Sequence, residues 1–285
     1  MDSAFPIIRR PAASVRSPVL VSVPHYGTAP LPGVTADDYR DPSYATFAYG
    51  FADAFARDLY GDLHGHGATV LATPYSRMFV DVNRRRDDVE HHDGEVRSRR
   101  GVVRTHTMRD VPIFARALTP SELEARLQQA YDPYYAALDT LLAEIRATFG
   151  HAILVDAHTG SPRRMGEHQV IIGTCRGASC ADPVVTATAE VFARHGLPAS
   201  VDVSGYTGGN IVAAAGRPGA RVHALQLEVN ASLVMVEAPD EFIARVRRGE
   251  FPEHRAAGVA RVRACLGELL GTLPRVVAEL HGPGC

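Results

Sequence analysis

Tryptophan is absent from this 285-residue chain, and cysteine occurs only four times, as Cys175, Cys180, Cys265 and Cys285. No two cysteines form a C-x-x-C pair, and their spacings match no common zinc module. Free or buried thiols in a reducing compartment are the default reading. Cys175 and Cys180 flank a glycine-containing turn, which leaves a catalytic thiol open there. No apolar run approaches the length of a membrane span, so a membrane partner is not expected. The first eighteen residues, MDSAFPIIRRPAASVRSP, lack the apolar centre of a secretory signal, and we expect a cytoplasmic protein. Formal net charge is −2, with no global bias toward nucleic acid or anionic lipid. There is no G-x-G-x-x-G fingerprint and no Walker loop, which argues against nucleotide binding. Internal repeats and low-complexity linkers are lacking too.

What remains is an ordinary globular composition, 46% hydrophobic and 22% charged, long enough for a sizeable core. The chain is organised around His151–Pro162, HAILVDAHTGSP. Its apolar run, ended by Gly and Pro, reads as a buried parallel strand feeding a loop. Ligands of open α/β sheets bind just past the carboxyl ends of strands, where His158 sits. Residues two apart on a strand share a face, so Asp156 and His158 project together. A carboxylate beside an imidazole can fix the tautomer of a metal-binding ring. Taken alone, this segment fits equally well a strand-end His bonded to backbone.

A second strand pattern, Pro18–Val23, stops at Pro24-His25-Tyr26-Gly27 and delivers another His into a turn. Two strand-end histidines in one α/β chain favour a shared site. Residues 1–17 read as an irregular lead-in and Ala36–Pro42 as an acidic turn. Tyr44–Leu63 reads as one amphipathic helix with Phe47, Phe51, Phe55 and Leu59 on its core stripe. Asp53 falls off that stripe and reads as a solvated helix residue. Ala68–Ala72 and Met78–Val82 read as strands, the second ending at Asn83-Arg84. The segment from Arg84 to Asp110 is charged, of both signs and without apolar periodicity. It reads as a solvated excursion, and one this long is usually functional or mobile. Adjacent His91 and His92 diverge on any regular backbone, which argues against a metal pair. Thr119–Phe149 reads as a long helix with Thr119 as N-cap, Pro120 at the first position and Pro133 as a kink. His168–Gly173, Asp182–His195 and Ala199–Val203 continue as strand, helix, strand. Gly208-Gly209 then permits close backbone approach to a ligand. In Arg221–Val229 a Glu interrupts a strand pattern. Either Glu228 is buried with a partner or this is an edge strand with Glu228 in water. Pro239–Leu280 is helical. Strands and helices alternate, so the expected class is α/β, with a mixed, mostly parallel sheet flanked by helices.

Two His, one carboxylate and an open fourth position make a catalytic zinc site. A further carboxylate can move a proton from water to a leaving nitrogen, and Arg84 can clamp a substrate carboxylate. Together these parts amount to hydrolysis of an amide whose product is an amino acid.

Five motifs stand in order: Pro24-His25-x-Gly27, Ser76-Arg77-x-x-Val80-Asp81-x-Asn83-Arg84, Asp156-x-His158-Thr159, Gly208-Gly209-x-Ile211 and His223-Ala224-x-Gln226-x-Glu228. In order and rough spacing they resemble those of the N-formylglutamate amidohydrolases, similar in fold to zinc carboxypeptidases and aspartoacylases. The resemblance runs from about residue 18 to 240. It implies a single catalytic domain over 1–285, with its core at about 18–280. It implies one Zn²⁺ held by His25, a carboxylate and His158, with Glu228 as general base and a small-molecule N-acyl amino acid as substrate. Asn83 and Arg84 are implied as substrate clamp, with Arg77, Gly208 and Gly209 also on the substrate. The family's Asp-Trp-His stretch, counted back from Leu59-Tyr60, lands on Asp53, beside Ala54-Phe55; Asp41 and Asp38 stay open as alternatives. Thr159 stands where the family usually has Ser, and Thr207 where it usually has Lys. The charged excursion also differs from the family's loop. These departures bear on the acyl group more than on the reaction. N-formyl-L-glutamate is the expected substrate. Another N-acyl, γ-glutamyl or peptide amide, or a binding domain without turnover, are the competing readings.

Overall fold

The computed structural model describes residues 5–282. The strands are β1 (Ile7–Arg9), β2 (Val19–Val23), β3 (Thr69–Ala72), β4 (His91–His92), β5 (Glu95–Val96), β6 (Ala152–Gly160), β7 (Val170–Gly173), β8 (Ala199–Val201) and β9 (Val222–Asn230). The helices are α1 (Phe47–Gly50), α2 (Ala56–Tyr60), α3 (Pro120–Arg126), α4 (Asp132–Phe149), α5 (Pro162–Met165), α6 (Asp182–Arg194), α7 (Asn210–Ala215), α8 (Pro239–Arg247) and α9 (Ala256–His281). Seven strands form one sheet in the order β1-β3-β2-β6-β9-β7-β8. Strands β3, β2, β6 and β9 are mutually parallel. Strand β1 pairs antiparallel with β3, and β7 antiparallel with β9. The sheet is therefore mixed and mostly parallel, as expected. Among the described residues no helix is long and apolar enough to cross a membrane.

Both faces of the sheet are covered, which is why the central strands are buried along their whole length and mostly apolar in their first halves. Val19, Val21, Val23, Ile153, Val155, Leu225 and Leu227 pack with α2, α6, α8 and α9 in one core. Leu20, Leu154 and Ala224 point the other way, into a core shared with α4, α7 and residues 78–118. On this second face the period-two rows continue toward the carboxyl ends as Ser22, Asp156, His158, Gln226 and Glu228, all buried. A polar layer thus caps an apolar one.

Several expectations are corrected. Ile7–Arg9 is an edge strand, not an irregular lead-in. Tyr44–Leu63 is not one helix: α1 and α2 are separated by an irregular stretch, with Phe55 at φ 58°. The aromatic stripe fails because its residues serve two cores. Phe51 packs in the second and Phe55 and Leu59 in the first, which a single straight helix could not do. Met78–Val82 is not a strand but a set of turns. It is buried on all sides and pinned where Asp81 N–H donates to the Val102 carbonyl, 2.7 Å. The charged excursion is not wholly solvated. Val96, Val102 and Val103 are buried, and the exposed His91-His92 pair forms a small hairpin with Glu95-Val96. The long helix begins with the expected Thr119–Glu122 capping box and widens into a π turn over Leu127–Tyr131 before α4. Pro133, lacking an N–H, explains the interruption. Strand β9 is central, so Glu228 is not in water. Cys180 and Cys265 are buried, and burial pushes the Cys175 thiol up, against a nucleophilic role. Cys285 lies outside the described residues.

Candidate metal centre and active site

Register builds the centre. Along the β6–β9 ladder Asp156 faces Gln226 and His158 faces Glu228. The parallel pairing of β2 with β6 sets Ser22 beside Asp156, and His25 follows β2 by two residues. The rings of His25 and His158 lie 4.7 Å apart. Asp53 enters from the break between α1 and α2, where its N–H donates to the His25 carbonyl at 3.1 Å. That bond is incompatible with a continuous helix, so the break is what delivers the carboxylate. Asp53 Oδ2 lies 2.8 Å from His158 Nδ1 and Oδ1 3.4 Å from His25 Nδ1. One ligand atom from each of the three residues lies within 4.8 Å of the others. Asp38 and Asp41 stay outside: Asp38 is half-buried and Asp41 exposed, and they accept from the local backbone at Thr35 and Ser43.

The two far ring nitrogens each meet a buried carboxylate. His25 Nε2 lies 2.9 Å from Asp81 Oδ1, and His158 Nε2 3.0 Å from Asp156 Oδ2. With those protons on Nε2, both Nδ1 lone pairs can face a common cation. Ser22 Oγ donates to Asp156 at 2.9 Å and Tyr60 Oη to the His158 carbonyl at 2.8 Å, so strand and ring are held from behind. The Thr159 hydroxyl donates to the Ala54 carbonyl at 2.8 Å and fixes the Asp53 segment. Burial opposes ionisation of Asp53, yet the two imidazoles outweigh it and hold the carboxyl below the usual range. Burial alone would lower His158, but Asp156 and Glu228 raise it well above an ordinary imidazole. A buried set of two nitrogens and one carboxylate, each nitrogen backed by an acid, suits a divalent ion of the zinc type.

Asn83 spends its carboxamide inside the protein. Nδ2 donates to Asp156 Oδ2 at 3.0 Å and Oδ1 accepts from Ile211 N–H at 3.0 Å. Arg77 grips Asp81 through Nε (2.9 Å) and Nη2 (2.6 Å), and its Nη1 lies 3.0 Å from His25 Nδ1. Arg84 is 43% exposed and 3.9 Å from Asp81. A methyl group on Gly209 would overlap the Asn83 carboxamide, and Gly208, at φ 124°, backs onto Cys175. The paired glycines therefore let the chain close on Asn83 itself. Arg77, Asn83, Arg84, Gly208 and Gly209 line a cavity of about 490 Å³ that also includes Arg100, Arg104 and Arg164.

Glu228 is buried with Gln226 Nε2 donating to its Oε1 at 2.6 Å. Burial pushes its carboxyl up to about 7, with Asp53 adding to the rise and His158 and Gln226 opposing it. A raised folded-state pKa makes the penalty absent below the unfolded value near 4.5 and complete above about 7. Metal-free Glu228→Gln is therefore expected to be more stable than metal-free wild type at about pH 8. The gap should close as pH falls through 7 toward 4.5. Thermal melts of chelated protein across that range check this; a pH-independent gap would contradict it.

The fold and site define an α/β protein with a buried two-histidine, one-carboxylate centre at the carboxyl ends of its central strands. Residues 17–235 match the N-formylglutamate amidohydrolase family. An N-formylglutamate deformylase of Pseudomonas putida is 33% identical over 236 residues, 78% of this chain and 83% of that protein. One from Pseudomonas aeruginosa is 32% identical over 224 residues, 75% and 80% of the two chains. In fold, the chain is similar to the crystal structure of N-formylglutamate amidohydrolase from Ralstonia eutropha JMP134, with a TM-score of 0.75, 21% identity and coverage of 97% and 98%. The chain belongs to the N-formylglutamate amidohydrolase family.

Sequence reasoning placed both histidines, Asp156 and Glu228, but it gave no role to Asp81 or Arg104. An acid inside the apolar run MFVDV was the available signal for Asp81. Arg104 carried none.

Proposed function

We propose that this protein hydrolyses the formyl amide of N-formyl-L-glutamate to formate and glutamate. The observation that carries the reading is the convergence of His25, Asp53 and His158 within 4.8 Å, beside a buried Glu228. His25 Nδ1, the Asp53 carboxylate and His158 Nδ1 would hold a zinc ion. Bound there, zinc would supply Lewis acidity toward water and the formyl carbonyl. Glu228 accepts a proton from the attacking water and returns it to the amide nitrogen as the C–N bond breaks. Gln226 fixes the Glu228 carboxylate. Arg77, anchored by Asp81, directs Nη1 toward the charge that develops on the carbonyl oxygen. Arg84 pairs with the substrate α-carboxylate. Asn83 acts indirectly, by holding Asp156 and through it His158.

Metal analysis of purified protein, with formate release from a panel of N-acyl amino acids, tests this. About one zinc per chain is expected, with activity lost on chelation and restored by zinc. Undiminished turnover in protein shown to be metal-free would overturn the reading.

A further inference from the structure

We infer that Arg104 binds the side-chain carboxylate of the substrate and so selects acidic N-acyl amino acids. The inference rests on the amidohydrolase reading above. The cavity wall carries Arg77, Arg84, Arg100, Arg104 and Arg164, but of the acids that line it only Asp53 and Glu228 are present, both facing the histidines. Arg77 holds Asp81 through Nε and Nη2, and its remaining Nη1 lies against His25 at the reacting end of the cavity. Arg100 and Arg164 are exposed at the rim. Arg104 is half-buried, and among the described residues no carboxylate lies within ion-pair distance of it. Its Nε is buried without a partner, and its guanidinium makes one long contact, Nη1 to the Arg99 carbonyl at 3.5 Å. A structural arginine this deep ordinarily has its fork filled, because unmet buried donors are costly. Burial, with Arg77 next and Asp81 opposing, pushes Arg104 down to about 10, so it stays a cation without an ion-pair partner.

Arg104 is also held in place before any ligand arrives. Its Cζ lies 4.8 Å from the centre of the Phe51 ring, and its N–H donates to the Met78 carbonyl at 3.2 Å. The next residue, Thr105, is buried and donates its N–H to the Ser98 carbonyl at 2.8 Å. The excursion is thus folded so that its far limb presents one fixed guanidinium to the cavity. N-formylglutamate carries two carboxylates. Arg84 serves the one beside the amide, and Arg104 is the fitted partner for the other.

Zinc-loaded wild type, Arg104→Met and Arg104→Lys are to be assayed on N-formylglutamate and on N-formylglutamine, which keeps the shape and loses the side-chain charge. Glutarate binding is measured by calorimetry, with butyrate as control. Arg104→Met should lose about a hundredfold in kcat/KM on N-formylglutamate, chiefly through KM, and less than about threefold on N-formylglutamine. Arg104→Lys should recover part of the loss. Glutarate binding should weaken in parallel, and butyrate binding should not. Equal losses on both substrates would overturn the inference, since Arg104 would then be structural. If wild type turns over neither substrate, the amidohydrolase reading fails, and glutarate decides: binding that depends on Arg104 sustains the carboxylate site, while absent or Arg104-independent binding ends it.

Discussion

Glu228→Gln is expected, on the proposed mechanism, to lower turnover of N-formylglutamate by about a thousandfold with zinc binding unchanged. A positioned general base contributes about 10²–10⁴ in rate, and no other carboxylate on the cavity wall is free of the ligand set. The substitution is close to isosteric, and an amide oxygen still accepts from Gln226, so local geometry should survive. Because Glu228 is not among the three proposed ligands, zinc content should match wild type. The same variant should gain stability when metal-free, so one side chain trades folding free energy for chemistry. Single-turnover rates with metal content measured on the same sample check this. Near-normal turnover would remove Glu228 as base, and loss of zinc would make it a ligand instead.

Asp81→Ala is expected to destabilise the metal-free protein by about 3 kcal/mol, near the low end for breaking a buried pair. Arg77 remains 19% exposed, which places the cost there. Asp81 is wholly buried and accepts from both Nε and Nη2 of Arg77, from Asn83 N–H at 3.1 Å and from His25. Arg77 and His25 outweigh burial and hold its carboxyl well below the usual range. Removing it strands a guanidinium and frees the His25 ring to change tautomer. The melting midpoint should fall by about 10 °C, and zinc affinity by about 10- to 100-fold. Asp81→Asn, which keeps an acceptor but not the charge, should fall between. A wild-type midpoint together with unchanged zinc affinity would show that Asp81 holds neither partner.

The α/β class was legible because β2, β3 and the first half of β6 are short apolar runs stopped by Gly, Pro or a polar turn, a pattern that a covered parallel strand imposes on its own residues. His25 and His158 were legible for the same reason, since a strand end is a local feature. The aromatic residues between 47 and 59 misled, because helical spacing carries no record of two cores. The run 78–82 misled because complete burial without periodicity fits a strand and an irregular buried turn alike.

The sequence by itself determined the central strands, their polar ends and the chemical types gathered there, for these follow from neighbours along the chain. Only the tertiary structure decided which carboxylate joins the histidines, since Asp53 meets His158 across 105 residues and Asp81 meets His25 across 56. It also decided that Glu228 is buried and that Arg104 faces the cavity. Strand order and the path of the excursion set those two environments, and neither is written in any local pattern of residues.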